Sequence, residues 1–339
     1  MSTKRIRNLK QQWLTDIAPH LPDSPPSDAP VNYKRVRETM GKMKEGKDRA
    51  LDTMWKHLKE DVQVQNIQIP LRDGHLAELR ILKPVSLGSG SLPVYYSLHG
   101  GAFIAGNNDT EELINRQLAA APGVVIFSLD YRLAPEHDVV DIIFKDAEDG
   151  LKWVHAHAAE YGGDVAAGII LGGTSVGGGM ATMLAYRSKG LGISVKGVIG
   201  RQPALIMNFE TKPEWEGKRR SLEENADAPM INKDFIIKID GLLNIPKAKH
   251  TDPWNFPIWA ANLEVMPPTY LVGAGCDPFA DDVLLYSELL TKAGVPNKVK
   301  VYEGMPHGFH SFHALQEARD EMQETAEGLK WLLQLSKSK

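Results

Sequence analysis

Apolar positions along the chain follow two different regimes. From residue 93 onward, short apolar runs alternate with stretches of helical period. Residues 93–98, 123–129, 167–171, 195–200, 269–273 and 298–302 read as strands, and the run Gly123-Val124-Val125-Ile126-Phe127-Ser128-Leu129 has the continuous apolar character of a strand covered on both faces. Between them, residues 110–121, 141–159, 176–187, 281–293 and 312–335 carry helical spacing; in the second of these Ile142, Ile143, Ala147, Leu151 and Val154 share one side. Upstream, Val62, Val64, Ile67 and Ile69 roughly alternate with polar residues, Arg72-Asp73-Gly74 supplies a turn, and residues 75–82 return. That pattern predicts an antiparallel hairpin at a sheet edge. Strand and helix in alternation predict an α/β fold with a mostly parallel, doubly wound sheet.

Two segments break the alternation. Residues 1–60 hold a polar helical stretch with Trp13, a Pro/Ser-rich loop over 22–30, and a second helical stretch from Val31 to about Lys59. Residues 206–261 are polar, aromatic and Pro-rich. The expected organisation is N-terminal cap helices over 1–60, a first core part over 61–205, a cap insertion over 206–261 and a second core part over 262–339. The two irregular segments are expected to pack together as a lid over the carboxyl edge of the sheet. Trp215, Trp254, Phe256 and Trp259 either line an apolar acyl pocket there or fill the lid's own core.

Composition narrows the function classes. With 39 Lys and Arg against 43 Asp and Glu, the chain has no cationic surplus for phosphates, so no nucleic-acid partner is expected. No window of ~18 uninterrupted apolar residues exists, so no stable membrane insertion is expected. The N-terminus lacks the apolar core of a secretory signal, and the single Cys276 excludes an intrachain disulfide; both argue for a cytoplasmic protein.

Candidate chemistry sits where strands end. Gly172-Gly173-Thr174-Ser175-Val176-Gly177-Gly178 follows a predicted strand and precedes a predicted helix. In that context G-x-S-x-G makes a sharp turn with the serine Oγ projecting, and the glycines allow strand and helix to approach closely. His99-Gly100-Gly101-Ala102-Phe103 follows the strand at 93–98 and is suited to present backbone N–H groups to an oxyanion. It lacks the spacing of a phosphate-binding G-x-G-x-x-G, and His99 reads as a loop-ordering residue. Asp277, in Gly275-Cys276-Asp277-Pro278, and His307, in Met305-Pro306-His307-Gly308, follow the last two strands. Active-site residues of open α/β sheets gather at such carboxyl ends, and the order Ser, Asp, His is one that such a triad uses. The competitors are Asp281 and Asp282, expected to cap the following helix, and His310 and His313, expected at the start of the closing helix. Cys276 has neither a paired cysteine nor metal-ligand spacing, so it reads as structural, and no metal or other cofactor is implied.

These residues resemble the hormone-sensitive-lipase branch of the α/β hydrolases, with its bacterial esterases and arylacetamide-deacetylase-like enzymes. The resemblance runs from about Val94 to the C-terminus. It includes Asp130-Tyr131-Arg132-Leu133-Ala134-Pro135-Glu136-His137 and Tyr161-Gly162-Gly163-Asp164. It implies an eight-stranded sheet with a helical cap, the triad Ser175, Asp277 and His307, and oxyanion donors from Gly100, Gly101, Ala102 and Val176. Ala102 stands where the family commonly has a third glycine, and Val176 where it commonly has alanine. The expected activity is hydrolysis of a small-molecule carboxylic ester through an acyl-enzyme. The same triad could instead serve acyl transfer, cyclisation or elimination, and a scaffold that had lost its chemistry could bind a ligand.

Overall fold

A computed structural model describes residues 9–21, 29–86, 91–206 and 210–337. Most of the Pro/Ser-rich loop, and Ser338 and Lys339, lie outside them. Among the described residues the helices are α1 (Tyr33–Thr53), α2 (Lys56–Asp61), α3 (Glu112–Ala120), α4 (Phe144–His157), α5 (Val176–Ser188), α6 (Ser221–Glu224), α7 (Lys233–Leu243), α8 (Lys247–His250), α9 (Ala280–Lys292) and α10 (Gln316–Lys337). The strands are β1 (Val62–Pro70), β2 (Leu76–Pro84), β3 (Val94–Leu98), β4 (Val125–Leu129), β5 (Ile169–Thr174), β6 (Val195–Arg201), β7 (Thr269–Ala274) and β8 (Asn297–Tyr302). They form one eight-stranded sheet in the order β1-β2-β4-β3-β5-β6-β7-β8. β1 and β2 join antiparallel and every neighbour from β4 to β8 is parallel, giving the doubly wound α/β sheet expected from the alternation.

The inner strands β3, β4, β5 and β7 are buried on both faces, and alternate side chains of the sheet feed two separate clusters. Tyr96, Phe127, Leu171 and Val198 point to the side of α4, α5 and α9; Tyr95, Ile126, Ile170 and Ile199 point to the side of α3 and α10. The edge hairpin obeys the same parity. Val62 and Ile69 are seven residues apart and so face opposite ways, Val62 into the α3/α10 cluster and Ile69 into the other, while Val64 is left exposed.

The N-terminal stretch divides between these clusters, where the sequence suggests a single lid. Trp13 is fully buried, edge-on to Phe312 at 5.2 Å, and α2 places Leu58 in the same cluster on the α3/α10 side. α1 ends in that cluster with Ala50 and Leu51, while its first half crosses the loops at the carboxyl ends of the parallel strands. Its Arg37 donates to the carbonyls of Ile104 and Ala134 and pairs with Glu136, and Val36 and Met40 pack on the opposite cluster. The insertion contributes Trp215, Ile236, Ile239, Phe256 and Trp259 to that cluster as well. Trp215 and Trp259 pack tilted at 43° with centroids 4.7 Å apart and Lys212 over both rings, and Phe256 meets Phe144. These three aromatics therefore fill the insertion's own contact with the core, whereas Trp254 lies at the surface beside Tyr186 and Arg187.

Asp281 and Asp282 do not cap α9. Asp281 accepts the N–H groups of Arg220 and Ser221 at the start of α6, and Asp282 pairs with Arg219 at 2.6 Å, so both carboxylates tie the insertion to the sheet's helices. No described helix is long and apolar enough to cross a membrane.

Beneath the carboxyl edge lies a buried charge network. The Arg201 guanidinium makes two 2.7 Å bonds to Glu321 and further bonds to Glu111 and the Thr174 hydroxyl, which itself donates to Glu111. Removing one partner of a buried pair strands the other's charge in low dielectric. Glu321→Ala is expected to lower unfolding free energy by about 3–5 kcal/mol in urea denaturation, and a loss below about 1 kcal/mol would show that Arg201 finds solvent or another partner.

Candidate active site

β5 runs into α5 through Ser175, which holds φ 54° and ψ −121°, a backbone conformation sparsely populated for any residue bearing a Cβ. The conformation persists because both ends are fixed. The Ser175 N–H donates to the Arg201 carbonyl at the end of β6, and the Ser175 carbonyl accepts from Gly179 and Ala204. A Cβ at Gly173 or Gly177 would run into the backbone of Leu98 or His99 at the end of β3. Only glycine lets the elbow sit against that loop.

The loop after β3 is turned by positive φ values at Gly101 (126°), Ala102 (54°) and Phe103 (62°), and closed by Ile104 and Ala105 N–H groups on the Gly101 carbonyl. Ala102 tolerates the left-handed region at a cost of order 1–2 kcal/mol that a glycine would not incur. Among the described residues the N–H groups of Gly100, Gly101, Ala102 and Val176 donate to no internal acceptor, although their surroundings are buried or nearly so. Val176 opens α5, so its N–H is one of the free donors at the positive end of a helix. His99 orders this loop: its Nδ1 donates to the Gly100 carbonyl and its ring stacks on Tyr131 at 4.0 Å, while the Tyr131 hydroxyl donates to the His99 carbonyl. Burial pushes the His99 imidazole down to about 4, which keeps it neutral.

Asp277 and His307 arrive from the ends of β7 and β8. Asp277 Oδ1 accepts the Phe279 N–H, and Asn225 of the insertion donates to the Asp277 carbonyl. Asp277 Oδ2 accepts from His307 Nδ1 at 2.6 Å, and His307 Nε2 lies 3.0 Å from Ser175 Oγ. All three side chains are buried, with Ser175 only 6% and His307 5% exposed. The three predicted residues thus meet in one line of hydrogen bonds. His310 and His313 do not join it. His310 Nδ1 accepts from Gln202 Nε2, while Gln202 Oε1 accepts the Gly308 N–H beside His307 at 2.6 Å; His313 lies edge-on to Trp55. Cys276 is buried beside the acid, and no group of three described His, Cys, Asp or Glu residues is placed to hold a metal.

A family model of the α/β-hydrolase fold matches residues 95–311, which spans the elbow, the loop after β3 and both partner residues. The chain belongs to the α/β-hydrolase family. Its resemblance is to the hormone-sensitive-lipase-like branch, and the hydrolase is 33% identical to the esterase LipI of Mycobacterium tuberculosis over 241 residues, 70% of this chain and 72% of that one. An esterase of Pyrobaculum calidifontis matches with a TM-score of 0.78 and 28% identity, covering 91% of the hydrolase and 95% of the solved chain. The fold is also that of vibralactone cyclase, with a TM-score of 0.86, 24% identity, and 99% and 98% of the two chains covered.

Several residues that shape the site carry no local signal of it. Gln202, with φ 47°, braces the His307 turn, and Arg201, Glu111 and Thr174 hold the strand that ends at Ser175. Glu321 was within reach of the helical pattern, because it falls on the same side of α10 as Thr325 and Leu332, both fully buried.

Two outcomes test this geometry. Gly177→Ala is expected to destabilise the fold by about 1–3 kcal/mol or more and to remove activity with it, since the colliding atoms are backbone; a variant with wild-type stability and turnover would contradict the close approach. Burial also holds His310 well below the ordinary imidazole range and His313 down to about 4. Both groups take up a proton on unfolding between about pH 6.5 and 4, so their contribution to stability is present above pH 6.5 and lost as pH falls. Burial raises Asp130 to about 6, and that carboxyl acts in the opposite sense. The unfolding free energy of His313→Phe is therefore expected to fall less steeply over that interval than the wild type's, and parallel curves would contradict the shift.

Proposed function

We propose that the hydrolase cleaves small to medium carboxylic esters through an acyl-enzyme, with Ser175 as nucleophile, His307 as base and acid, and Asp277 as the group that orients His307. The observation that carries this reading is the continuous line Asp277 Oδ2, His307 Nδ1, His307 Nε2, Ser175 Oγ, with bonds of 2.6 and 3.0 Å. Asp277 accepts the Nδ1–H, which leaves Nε2 as the bare nitrogen facing the hydroxyl. When Ser175 Oγ bonds to the ester carbonyl carbon, its proton passes to Nε2, and the carbonyl π electrons move to oxygen. The free amides of Gly101, Ala102 and Val176, with Gly100 behind them, are the donors available to that oxyanion. Collapse expels the alkoxide, which takes the proton from Nε2 and leaves as alcohol. Water then repeats the sequence on the acyl-enzyme and releases the carboxylic acid.

The low exposure of Ser175 and His307 supports a restricted substrate, because a long acyl chain needs an open groove to lie in. Val176 next to the nucleophile acts in the same direction. Each added methylene contributes ~0.8 kcal/mol only while it finds apolar space.

Ser175→Ala and His307→Ala are each expected to lower turnover of p-nitrophenyl butanoate by ~10⁴-fold, since nucleophile and base act as one unit. His310→Ala is expected to cost far less than His307→Ala, and the reverse order would mean that the base is misassigned. Across a p-nitrophenyl ester series kcat/KM is expected to rise from acetyl to butanoyl or hexanoyl and to drop by dodecanoyl. A series still rising at hexadecanoyl would contradict the restricted site.

A further inference from the structure

A second cavity lies on the same edge of the sheet as the triad and is built differently. It measures about 240 Å³, is partly open, and is lined by Arg37, Met40, Lys44 and Lys47 of α1, by Gly106, Asn107, Asp109 and Thr110 after β3, and by Leu133 and Ser311. Those loops follow β3, β4 and β8, so the cavity belongs to the carboxyl edge, where ligands of open α/β sheets bind. Gly106 packs against His99 and the Gly100 carbonyl, and Gly100 in turn against Ser175; Ser311 stands four residues after His307. The cavity therefore shares its walls with both the loop of free amides and the turn that carries His307.

Its charges are unequal in their pairing. Arg37 is bound to Glu136, Lys44 to Asp48, and Asp109, which also lines the cavity, to Arg80 at 2.7 Å. Lys47 stands apart. Its ammonium donates to the Thr110 carbonyl, and no described carboxylate lies within ion-pair distance of it. Behind it is a small hollow of about 20 Å³ bounded by His310, His313, Arg201 and Glu321. Glu321 there is engaged by Arg201, Glu111 nearby gives Arg201 one carboxylate oxygen and acts on Lys47 only at longer range, and burial keeps both imidazoles neutral. Burial, and to a lesser degree the neighbouring Arg201 charge, lowers Lys47 to about 8, against the longer-range pull of Glu111, Asp109 and Asp48.

We infer that this cavity is a subsite for a carboxylate carried on the ester substrate, with Lys47 as its cation. The inference rests on the esterase reading and names a substrate class for it. At 240 Å³ the cavity is smaller than the ~300–1,000 Å³ of pockets that take a whole ligand, so it accepts one arm of a molecule whose ester lies at Ser175. A carboxylate there would accept the two N–H bonds of Lys47 that Thr110 leaves unused, a charge-assisted contact of the stronger kind.

The test compares charged and neutral esters of matched length. Mono-p-nitrophenyl glutarate against p-nitrophenyl pentanoate places the carboxylate on the acyl side; 4-carboxyphenyl butanoate against phenyl butanoate places it on the alcohol side. In one of the two pairs, Lys47→Met is expected to lower the charged-to-neutral ratio of kcat/KM by about tenfold or more, chiefly through KM, while Lys47→Arg keeps most of it. Ratios equal in wild type and Lys47→Met for both pairs overturn the subsite. Glutarate binding to the inactive Ser175→Ala protein, followed by calorimetry, is independent of turnover. Millimolar or tighter binding that weakens about tenfold when Lys47→Gln is added is the expected result, and no binding, or binding that Lys47→Gln leaves unchanged, overturns it. A chain that cleaves none of the neutral esters removes the esterase reading, and the calorimetry then decides the subsite by itself.

Discussion

The contact on which the site depends is the approach of two backbones: the turn through Gly173, Ser175 and Gly177, and the end of β3 at Leu98 and His99. They lie too close for a Cβ between them. That closeness sets the loop after β3, with its unpaired amides, against the turn that carries Ser175 and Val176. It also forces Ser175 into its positive-φ conformation, whose strain of order 1–3 kcal/mol must be offset elsewhere. The offset is visible on three sides. β6 receives the Ser175 N–H, Gly179 and Ala204 donate to its carbonyl, and the Arg201 network grips Thr174 immediately before it.

A charged network so close to the chemistry has a physical logic. Arg201 is enclosed by Glu321 and Glu111, and Thr174 fills a remaining donor site, so the guanidinium is satisfied without reaching Ser175, Asp277 or His307. Fixed geometry inside a low-dielectric interior gives the elbow a single position, and a triad functions only when its members are preorganised to within fractions of an ångström. The imidazoles around His307 are handled by a different device. His99, His310 and His313 are held neutral by burial, which leaves the Asp277–His307 pair as the polar contact directed at the serine.

Much of this was legible in the sequence because it is locally encoded. A buried parallel strand is apolar at nearly every position, a close strand-to-helix turn around serine needs flanking glycines, and partner residues follow late strands. β3 to β8 and the residues Ser175, Asp277 and His307 could be found on those grounds. What was not legible depends on which surfaces meet. Nothing near Trp13 states that it will be buried against Phe312, so the N-terminal stretch read as one lid, although part of it belongs to the α3/α10 side. Asp281 and Asp282 stand at the head of a helix, where capping is the local expectation, yet Asp281 serves the start of α6 and Asp282 the side chain of Arg219 just before it. Lys47 looks like one more surface lysine of α1 until the loops after β3 and β8 close around it.

The central claim is that Ser175 is an activated nucleophile in an assembled triad. The most direct measurement is covalent capture: incubation of the full chain with a fluorophosphonate, followed by peptide mapping. Among the described residues no other serine hydroxyl has a histidine ring nitrogen at hydrogen-bond distance, so one adduct per chain is expected, on Ser175, and none in His307→Ala. No adduct on the folded chain, or an adduct on another serine with Ser175 unmodified, would contradict the account.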